Sequence, residues 1–448
     1  MPYILNTPEQ IKDMLKSLGL SCEDELFSQI PDDVKIKDEL SLPQGMSELE
    51  VSRKLKNIGK ESRNLDEFNS FIGAGLYDHY IPSALKHIIN RSEFYTAYTP
   101  YQAECSQGIL QAIYEYQSFI CLLTGMDVTN ASMYDGATSL AESALMSLRI
   151  TKKKKIIVAK NVHPEYREVL KTYIKYLDCE IVDVPYNKNG SLDINSLQGL
   201  LDSDTAAVVV QSPNFFGVIE DVSEIRNAIK DNGAKTIMIV NPLSLAILKK
   251  PSEYGIDIVC ADGQSLGGSI SFGGPTFGII ATKKEYLRQL PGRIVGKTKD
   301  LDGKDAFCLT LQAREQHIRR QNATSNICSN QSLNAIAAAV YLSLMGKEGL
   351  HKVALYSLNN AHYLYEEMKK IKGVTFPFSN IFFNEFVWHI DSAEETVKKL
   401  TERGILPGVK LWKFYPELKG CVLTCCTEKK TKQDMDNFVN VLKEITVG

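Results

Sequence analysis

Several features that would mark a class of function are scarce or missing in this sequence. No run of about 18 uncharged apolar residues occurs, so we expect no membrane span. The 51 basic and 54 acidic residues nearly cancel, and the one block of like charge is the short run at 152–155, which argues against a nucleic-acid partner. The first residues lack a charged segment leading into an apolar one, so a soluble cytoplasmic protein is expected.

Patterns of metal ligands and disulfides are missing as well. The ten cysteines include no CxxC pair, and the seven histidines show neither HxxxH nor HxH spacing. Because a metal site normally leaves such a spacing, we expect no metal site. Scattered thiols in a chain of this length are typical of buried, reduced cysteines.

The hydrophobic pattern predicts an α/β protein with a large and a small domain. With 44% hydrophobic residues, the 448-residue chain can bury a substantial core. Between about 125 and 345, β-branched runs alternate with helical patterns, which favours a mostly parallel sheet covered on both faces. The runs lie at 156–159, 179–184, 206–211, 236–240, 256–261 and 277–281.

The two ends of the chain follow other patterns. At 346–448 a helix, strand, helix, strand, helix order predicts a smaller α+β domain, with elements at 350–371, 381–390, 393–403, 420–424 and 432–445. At 1–124 we expect a helical arm and an interface segment. Two short helices are predicted at 7–30, capped by Thr7 with Gln10 and by Ser21 with Asp24, and an amphipathic helix is predicted at 109–123.

Two loops at the expected carboxyl edge of the sheet carry candidate binding residues, because ligands of α/β sheets bind beyond that edge. The small residues from Gly136 to Thr138 open a helix whose N–H groups could hold a phosphate, although an ordinary capped helix start gives the same pattern. His163 follows the run at 156–159. Its imidazole could stack on a flat cofactor ring or have only a structural role.

Two further loops carry neutral residues where a cofactor enzyme would need charged ones. Asn241 follows the run at 236–240, where many pyridoxal-phosphate enzymes of this layout carry an aspartate that keeps the ring nitrogen protonated. Ser265 lies in a glycine-rich stretch of the kind that carries the Schiff-base lysine in such enzymes. No lysine occurs between Pro251 and Thr282.

Together these segments resemble the two-subunit form of the glycine decarboxylases, the P-proteins of the glycine cleavage system. The resemblance covers almost the entire chain and corresponds to the N-terminal half of the long single-chain P-proteins. Its most specific stretches are FIGAGLYDHY at 71–80, YTAYTPYQAECSQG at 95–108, YDGAT at 134–138 and EQHIRR at 315–320. Cys105 and Asn241 are local departures from the family pattern.

The resemblance implies a fold-type-I, aspartate-aminotransferase-like large domain and a chain without a catalytic centre of its own. In that family a homologous partner subunit carries the lysine at the position of Ser265 and the aspartate at the position of Asn241. Pyridoxal phosphate would therefore be bound by the partner, with none attached covalently to this chain. Gly136, Thr138, His163, Asn241 and Ser265 would form a degenerate cofactor pocket. Glycine and the lipoylated H-protein are the implied substrates, and two copies of each subunit the implied assembly.

Enzymes of this fold commonly build each active site from both protomers, so this chain is expected to act in trans. The stretch around Pro100 shows little helical periodicity, and Pro100 limits it to extended or turn geometry, which favours a strand at the subunit interface. Its candidate residues for the partner's active site are Tyr95, Thr96, Tyr98, Tyr101 and Glu104. A plain interface role for these tyrosines is the alternative.

Two other functions remain open from the sequence. The chain could be an independent pyridoxal-phosphate enzyme that uses an unrecognised lysine, or a noncatalytic scaffold. An absorption spectrum would identify the former, and reconstitution with the partner would separate the scaffold from a true partner subunit.

Overall fold

The structure, a computed structural model, describes residues 5–36, 38, 40–379 and 381–447. The chain divides into two compact units, Met1–Arg63 and Asn64–Gly448. The domain boundaries predicted at 124 and 345 stay a prediction. Within the described residues, no helix is both long enough and apolar enough to cross a membrane.

The first unit contains helices α1 (Pro8–Ser17) and α2 (Glu48–Glu61) and a 3-10 turn at Glu23–Phe27. The predicted cap of α1 is confirmed, since the Gln10 N–H donates to the Thr7 hydroxyl at 3.3 Å and the Thr7 N–H donates to the Gln10 side chain at 2.8 Å. The second predicted cap is wrong. Ser21 donates to Glu25 and not to Asp24, because the turn is a short 3-10 helix that begins only at Glu23.

The second unit begins with strand β1 (Asn69–Ser70) and helices α3 (Ser83–Ile89), α4 (Ser92–Tyr95) and α5 (Gln107–Thr124). Helix α5 confirms the predicted amphipathic helix. The predicted extended strand around Pro100 is wrong: Tyr95 ends a single helical turn, and residues 96–106 have no regular structure. The turn forms because the Tyr95 and Thr96 N–H groups donate to the carbonyls of Arg91 and Ser92 at 2.9 and 3.1 Å.

A seven-stranded sheet forms the centre of this unit, in the order β2-β8-β7-β6-β5-β3-β4. Strands β3 to β7 run parallel and β8 is antiparallel to β7 and β2. The strands are β2 (Val128–Thr129), β3 (Lys155–Ala159), β4 (Glu180–Val184), β5 (Thr205–Gln211), β6 (Lys235–Ile239), β7 (Ile258–Asp262) and β8 (Gly278–Thr282). All six predicted runs are therefore strands.

Four helices connect the strands: α6 (Gly136–Thr151), α7 (Pro164–Ile174), α8 (Ile194–Leu200) and α9 (Val222–Ile229). Their apolar residues and the fully buried strands make one continuous core. A buried parallel sheet reads as uninterrupted apolar runs, which is why these strands could be predicted. Short 3-10 helices follow at Pro242–Ala246, Pro251–Tyr254, Ser271–Gly273 and Lys284–Gln289.

Between the sheet and the C-terminal region lie elements outside the predicted set. They are the hairpin β9 (Ile294–Lys299) and β10 (Asp305–Thr310), helix α10 (Gln316–Arg319) and 3-10 turns at Gln312–Arg314 and Arg320–Asn322. Helix α11 (Ser332–Met368) begins well before the predicted start at 350. It contains a break at Gly346, whose φ of 57° and ψ of −173° are not helical.

The C-terminal region confirms the predicted order of elements. Strand β11 (Glu385–His389) pairs with β14 (Cys421–Cys425), which also pairs with β13 (Val409–Lys410), while β12 (Ile405–Leu406) pairs with β1. Helices α12 (Ala393–Glu402) and α13 (Lys432–Val447) cover these strands. Short 3-10 turns lie at Leu411–Lys413 and Pro416–Leu418. A second apolar core includes Phe71, Trp388 and Phe438.

Candidate functional site

The predicted pocket residues meet beyond the carboxyl edge of the sheet. His163 follows β3, Asn241 follows β6 and Ser265 follows β7, and all three line one cavity of about 40 Å³. The parallel direction of these strands brings the three loops to the same edge. Gly136 and Thr138 lie at the start of α6 nearby, since the Gly136 N–H bonds the side chain of Asp262, which lines the cavity.

Ser265 and Asn241 are built into the cavity wall. Ser265 is only 3% exposed, and its hydroxyl has no partner among the described residues. The Asn241 side-chain oxygen accepts the Leu243 N–H at 3.1 Å. The side-chain amide nitrogen of Asn241 has no hydrogen-bond partner among the described residues. A serine hydroxyl cannot form an imine, and a neutral amide cannot hold a proton on a ring nitrogen.

The His163 ring is held between protein groups. Its Nε2 lies 2.9 Å from the Ala74 carbonyl oxygen, which can only accept, so Nε2 carries the proton. Burial lowers the pKa of His163, which favours the neutral ring. The Tyr166 ring stacks on the imidazole with centroids 4.7 Å apart and an angle of 28° between planes. One face of the imidazole, the group predicted to stack on a cofactor ring, is therefore covered by a tyrosine of the same chain.

The start of α6 is capped by carboxylates. Asp135 accepts the Thr138 N–H at 2.7 Å, and Asp262 accepts the Gly136 N–H at 3.0 Å. A Cβ on Gly136 would collide with the Tyr166 hydroxyl and lie 2.9 Å from the Asp262 Cβ, so both side chains crowd this helix end. Burial raises the pKa of Asp262 to about 6, although the N–H groups of Gln264 and Gly136 oppose the shift.

These residues do not fit pyridoxal phosphate. The ring position is filled, the helix N-terminus already has carboxylate partners, and a phosphate would meet their negative charge. An adjoining cleft of about 460 Å³ contains the carboxylates of Asp135, Glu165 and Asp262, and none of the residues that line either space is a lysine or an arginine. No step of a reaction is therefore assigned to a cofactor on this chain.

The same pocket holds the segment 73–77 in place. The Gln264 side chain accepts the Tyr77 N–H and donates to the Tyr77 carbonyl, each at 2.9 Å. The buried Glu385 accepts the Ala74 N–H at 2.6 Å and the Tyr77 hydroxyl at 2.8 Å. Together with the His163 bond to Ala74, these contacts fix the backbone that leads toward α3.

The five residues predicted to act in trans do not line the cavity. Tyr95 and Tyr98 are 66% and 80% exposed, and Glu104 is exposed as well. The Thr96 hydroxyl donates to the Ser92 carbonyl at 2.7 Å. Tyr101 differs from the others, because its hydroxyl accepts from the buried Arg293 at 2.9 Å and its ring lies under the same guanidinium at 5.4 Å.

Several residues of this site are missing from the sequence prediction. Tyr166 lies on the first turn of α7, three positions after His163, which immediately precedes that helix. Asp262 ends a predicted strand at the carboxyl edge and could have been included for that reason. Glu385 and Arg293 have no such signal, since Glu385 meets Ala74 and Tyr77 across more than 300 positions of sequence and Arg293 meets Tyr101 across 192.

The comparisons with known proteins give the family. Residues 1–442 match the family described as glycine cleavage system P-protein. The chain belongs to this family. It is 52% identical to a probable glycine dehydrogenase (decarboxylating) subunit 1 of Carboxydothermus hydrogenoformans, over 99% of each chain. It is 50% identical to the corresponding protein of Chlorobium luteolum, over 99% of this chain and 100% of the relative.

Solved structures agree with this family. The crystal structure of an inhibitor-bound glycine decarboxylase (P-protein) superposes with a TM-score of 0.90 at 40% identity, covering 99% of this chain and 100% of the other. A Burkholderia pseudomallei sphingosine-1-phosphate lyase shares the fold at 13% identity, with a TM-score of 0.68 over 93% of this chain and 94% of the other. The predicted fold-type-I architecture and the predicted role as a P-protein subunit are confirmed, and pyridoxal phosphate is the cofactor of this family.

Proposed function

We propose that this chain is the cofactor-free subunit of a two-subunit glycine decarboxylase and pairs with a homologous subunit that carries the lysine and pyridoxal phosphate. The observation that carries the proposal is the pocket itself, whose wall has the neutral side chains of Ser265 and Asn241 and in which Tyr166 stacks on His163. The family resemblance implies that the partner carries the lysine and the aspartate at these two positions. The family membership supports the reaction, and the "subunit 1" in the relatives' names supports a second subunit. A cytoplasmic location is part of the proposal.

Glycine and the lipoylated H-protein are the proposed substrates of the assembled enzyme. Pyridoxal phosphate on the partner supplies the electron sink that allows glycine to lose its carboxylate as CO2 before the aminomethyl group passes to the lipoyl arm. Two copies of each subunit form the proposed assembly. The isolated chain is inactive in this proposal because it has no group that could supply that sink.

The contribution of this chain comes from its exposed tyrosine stretch. Tyr95, Thr96, Tyr98 and Glu104 are exposed here and are proposed to enter or border the partner's active site. Tyr101 anchors the stretch to the rest of the second unit. Arg293 donates a hydrogen bond to the Tyr101 hydroxyl and another to the carbonyl of Cys328 at 2.6 Å. An anchored loop loses less conformational freedom on binding than a free one, which favours positioning of its neighbours.

The test is glycine-carboxyl exchange with bicarbonate by this chain, by the partner and by both together. We expect exchange only from the pair, and a loss of about tenfold or more when Tyr98→Phe or Glu104→Gln removes a contact to the reacting groups. Tyr176→Phe is the matched control, since Tyr176 is 87% exposed and lies outside the stretch. Gel filtration checks the assembly of each variant.

Three outcomes would contradict the proposal. Exchange by the isolated chain would indicate an independent enzyme with an unrecognised lysine. Full exchange by assembled complexes carrying Tyr95→Phe, Tyr98→Phe or Glu104→Gln would reduce the stretch to a plain interface, and full activity of the partner alone would reduce the chain to a scaffold.

A further inference from the structure

We infer that this chain has replaced a bound cofactor with its own side chains, the Tyr166 ring standing for the cofactor ring against His163 and the Asp262 carboxylate standing for the phosphate at the start of α6. This goes beyond the proposed function, which concerns the partner's active site. The replacement turns a former binding pocket into a structural site that holds segment 73–77.

The ring position is filled by Tyr166. The tyrosine and imidazole rings are stacked, and the Phe215 ring also contacts the imidazole in an edge-on arrangement, with centroids 4.8 Å apart. His163 is only 8% exposed. A flat ligand could reach the imidazole face only if the Tyr166 ring moved away.

The phosphate position is filled by Asp262. A helix N-terminus attracts an anion because its first N–H groups lack partners within the helix. Here the Gly136 N–H donates to Asp262, whose same oxygen accepts the Thr276 hydroxyl at 3.0 Å, and the Gln264 N–H donates to its other oxygen at 2.9 Å. The carboxylate is thus held by three donors, and no donor of this set is left for a phosphate.

The cavity beside Asn241 and Ser265 suits water and is too small for a cofactor. The cavity of about 40 Å³ has room for about three water molecules. Three polar atoms at its wall, Asn241 Nδ2, Ser265 Oγ and His163 Nδ1, have no partner among the described residues. Because buried polar atoms are rarely left unsatisfied, a small water cluster bridging these atoms is the expected content.

Three polar residues at the pocket make hydrogen bonds within the chain that do not need a cofactor. His163, Gln264 and Glu385 direct hydrogen bonds to the backbone or side chains of Ala74 and Tyr77. Opening the pocket to a ligand would strain these contacts, so the filled state and the position of the segment 73–77 depend on each other.

Calorimetric titration of the full-length chain tests the inference with two probes that lack an aldehyde and cannot modify surface lysines. Pyridoxine reports on the ring position, and 4-deoxypyridoxine 5′-phosphate reports on the phosphate position as well. We expect no saturable binding of either probe to the unaltered chain. Tyr166→Ala should bind pyridoxine at least about tenfold more tightly, and adding Asp262→Asn should favour the phosphorylated probe by a further factor of about ten.

Two control variants keep the ring or remove a different tyrosine. Tyr166→Phe retains the aromatic ring and should exclude both probes like the unaltered chain. Tyr173→Ala removes a partly buried tyrosine from the same helix outside the cavity and should not create a site. In thermal unfolding, pyridoxine should raise the midpoint of Tyr166→Ala and leave that of Tyr173→Ala unchanged.

The unaltered chain provides a measurement that does not depend on folding of the variants. One saturable site for 4-deoxypyridoxine 5′-phosphate, abolished by His163→Ala, would place a cofactor-like ligand beside an intact Tyr166 and overturn the inference. A folded Tyr166→Ala that gains no pyridoxine affinity would overturn it too. Exchange activity of the reconstituted complexes separates these failures from a failure of the proposed function, because neither probe titration depends on the partner.

Discussion

The buried Glu385 makes the stability of this chain depend on pH in a direction that can be tested. Glu385 is 5% exposed, accepts the Ala74 N–H and the Tyr77 hydroxyl, and has no cationic partner among its hydrogen bonds. Burial raises its pKa to about 7 from the ordinary value of 4.5, although both hydrogen bonds oppose the shift. The folded chain therefore keeps a proton that the unfolded chain releases.

The sign and size follow from the two pKa values. The stability that this group contributes is fully present below about pH 4.5 and is lost as the pH rises through about 7. A difference of about 2.5 units at about 1.4 kcal/mol each corresponds to about 3 kcal/mol. Glu385→Gln has the shape of the protonated acid and no proton to lose. The variant should match the unaltered chain near pH 4.5 and be more stable by up to about 3 kcal/mol near pH 8.

Urea unfolding of both proteins across this pH range measures the difference. Glu220 and Asp262, whose burial raises their pKa values to about 7 and about 6, titrate in both proteins and cancel when the two are compared. The exposed Glu253→Gln is the matched control and should show no pH-dependent difference. A constant gap between Glu385→Gln and the unaltered chain from pH 5 to 8 would refute the reasoning, because it would mean that Glu385 does not titrate there.

Three further predictions concern the pocket and the tyrosine stretch. Ser265→Lys alone should give no glycine-carboxyl exchange without the partner, because the neutral Asn241 cannot keep a ring nitrogen protonated; measurable exchange by this variant would contradict it. Borohydride reduction and peptide mapping should find no pyridoxyl-lysine at 206–290, and one such peptide would suffice to reject the claim. Arg293→Lys should cost about 2 kcal/mol or more in urea unfolding and speed proteolysis near the stretch, while Tyr101→Phe should cost only about 1 kcal/mol; equal costs would argue against the anchor.

Most of the sheet could be predicted from the sequence because its strands, apart from the partly exposed edge strand β4, are almost entirely buried. The six apolar runs alternate with helical patterns. A short, continuous apolar run in that setting is typical of a strand in a buried parallel sheet. The hairpin β9–β10 lacks that signal, because polar and small residues such as Lys297 and Gly296 interrupt its apolar residues, and its two strands pair with each other. The local sequence pattern therefore predicted the strands with continuous apolar runs and missed the hairpin, whose pattern is interrupted.

The side-chain contacts inside the pocket could not be predicted from the order of residues in the sequence. The loops with Asn241 and Ser265 could be placed at one edge because each follows a parallel strand. The stacking of Tyr166 on His163 depends on side-chain orientation, and the bonds of Glu385 to segment 73–77 join residues more than 300 positions apart. The predicted interface strand failed for a related reason, since a single helical turn at Ser92–Tyr95 leaves almost no periodicity to detect.

A chain that gives up a cofactor must still satisfy the groups that once held it. A neutral imidazole, a helix N-terminus and a buried carboxylate would each cost free energy if left unpaired in a dry pocket. In this chain the tyrosine ring covers the imidazole, the Asp262 carboxylate caps the helix, and Gln264 and Glu385 bind the segment at 73–77. The pocket thus stabilises the backbone that leads toward α3 and α4, while Arg293 secures the stretch beyond them through Tyr101. Exposed residues held by a rigid support lose little entropy on docking, so a subunit without catalytic groups can still position residues at a neighbour's active site.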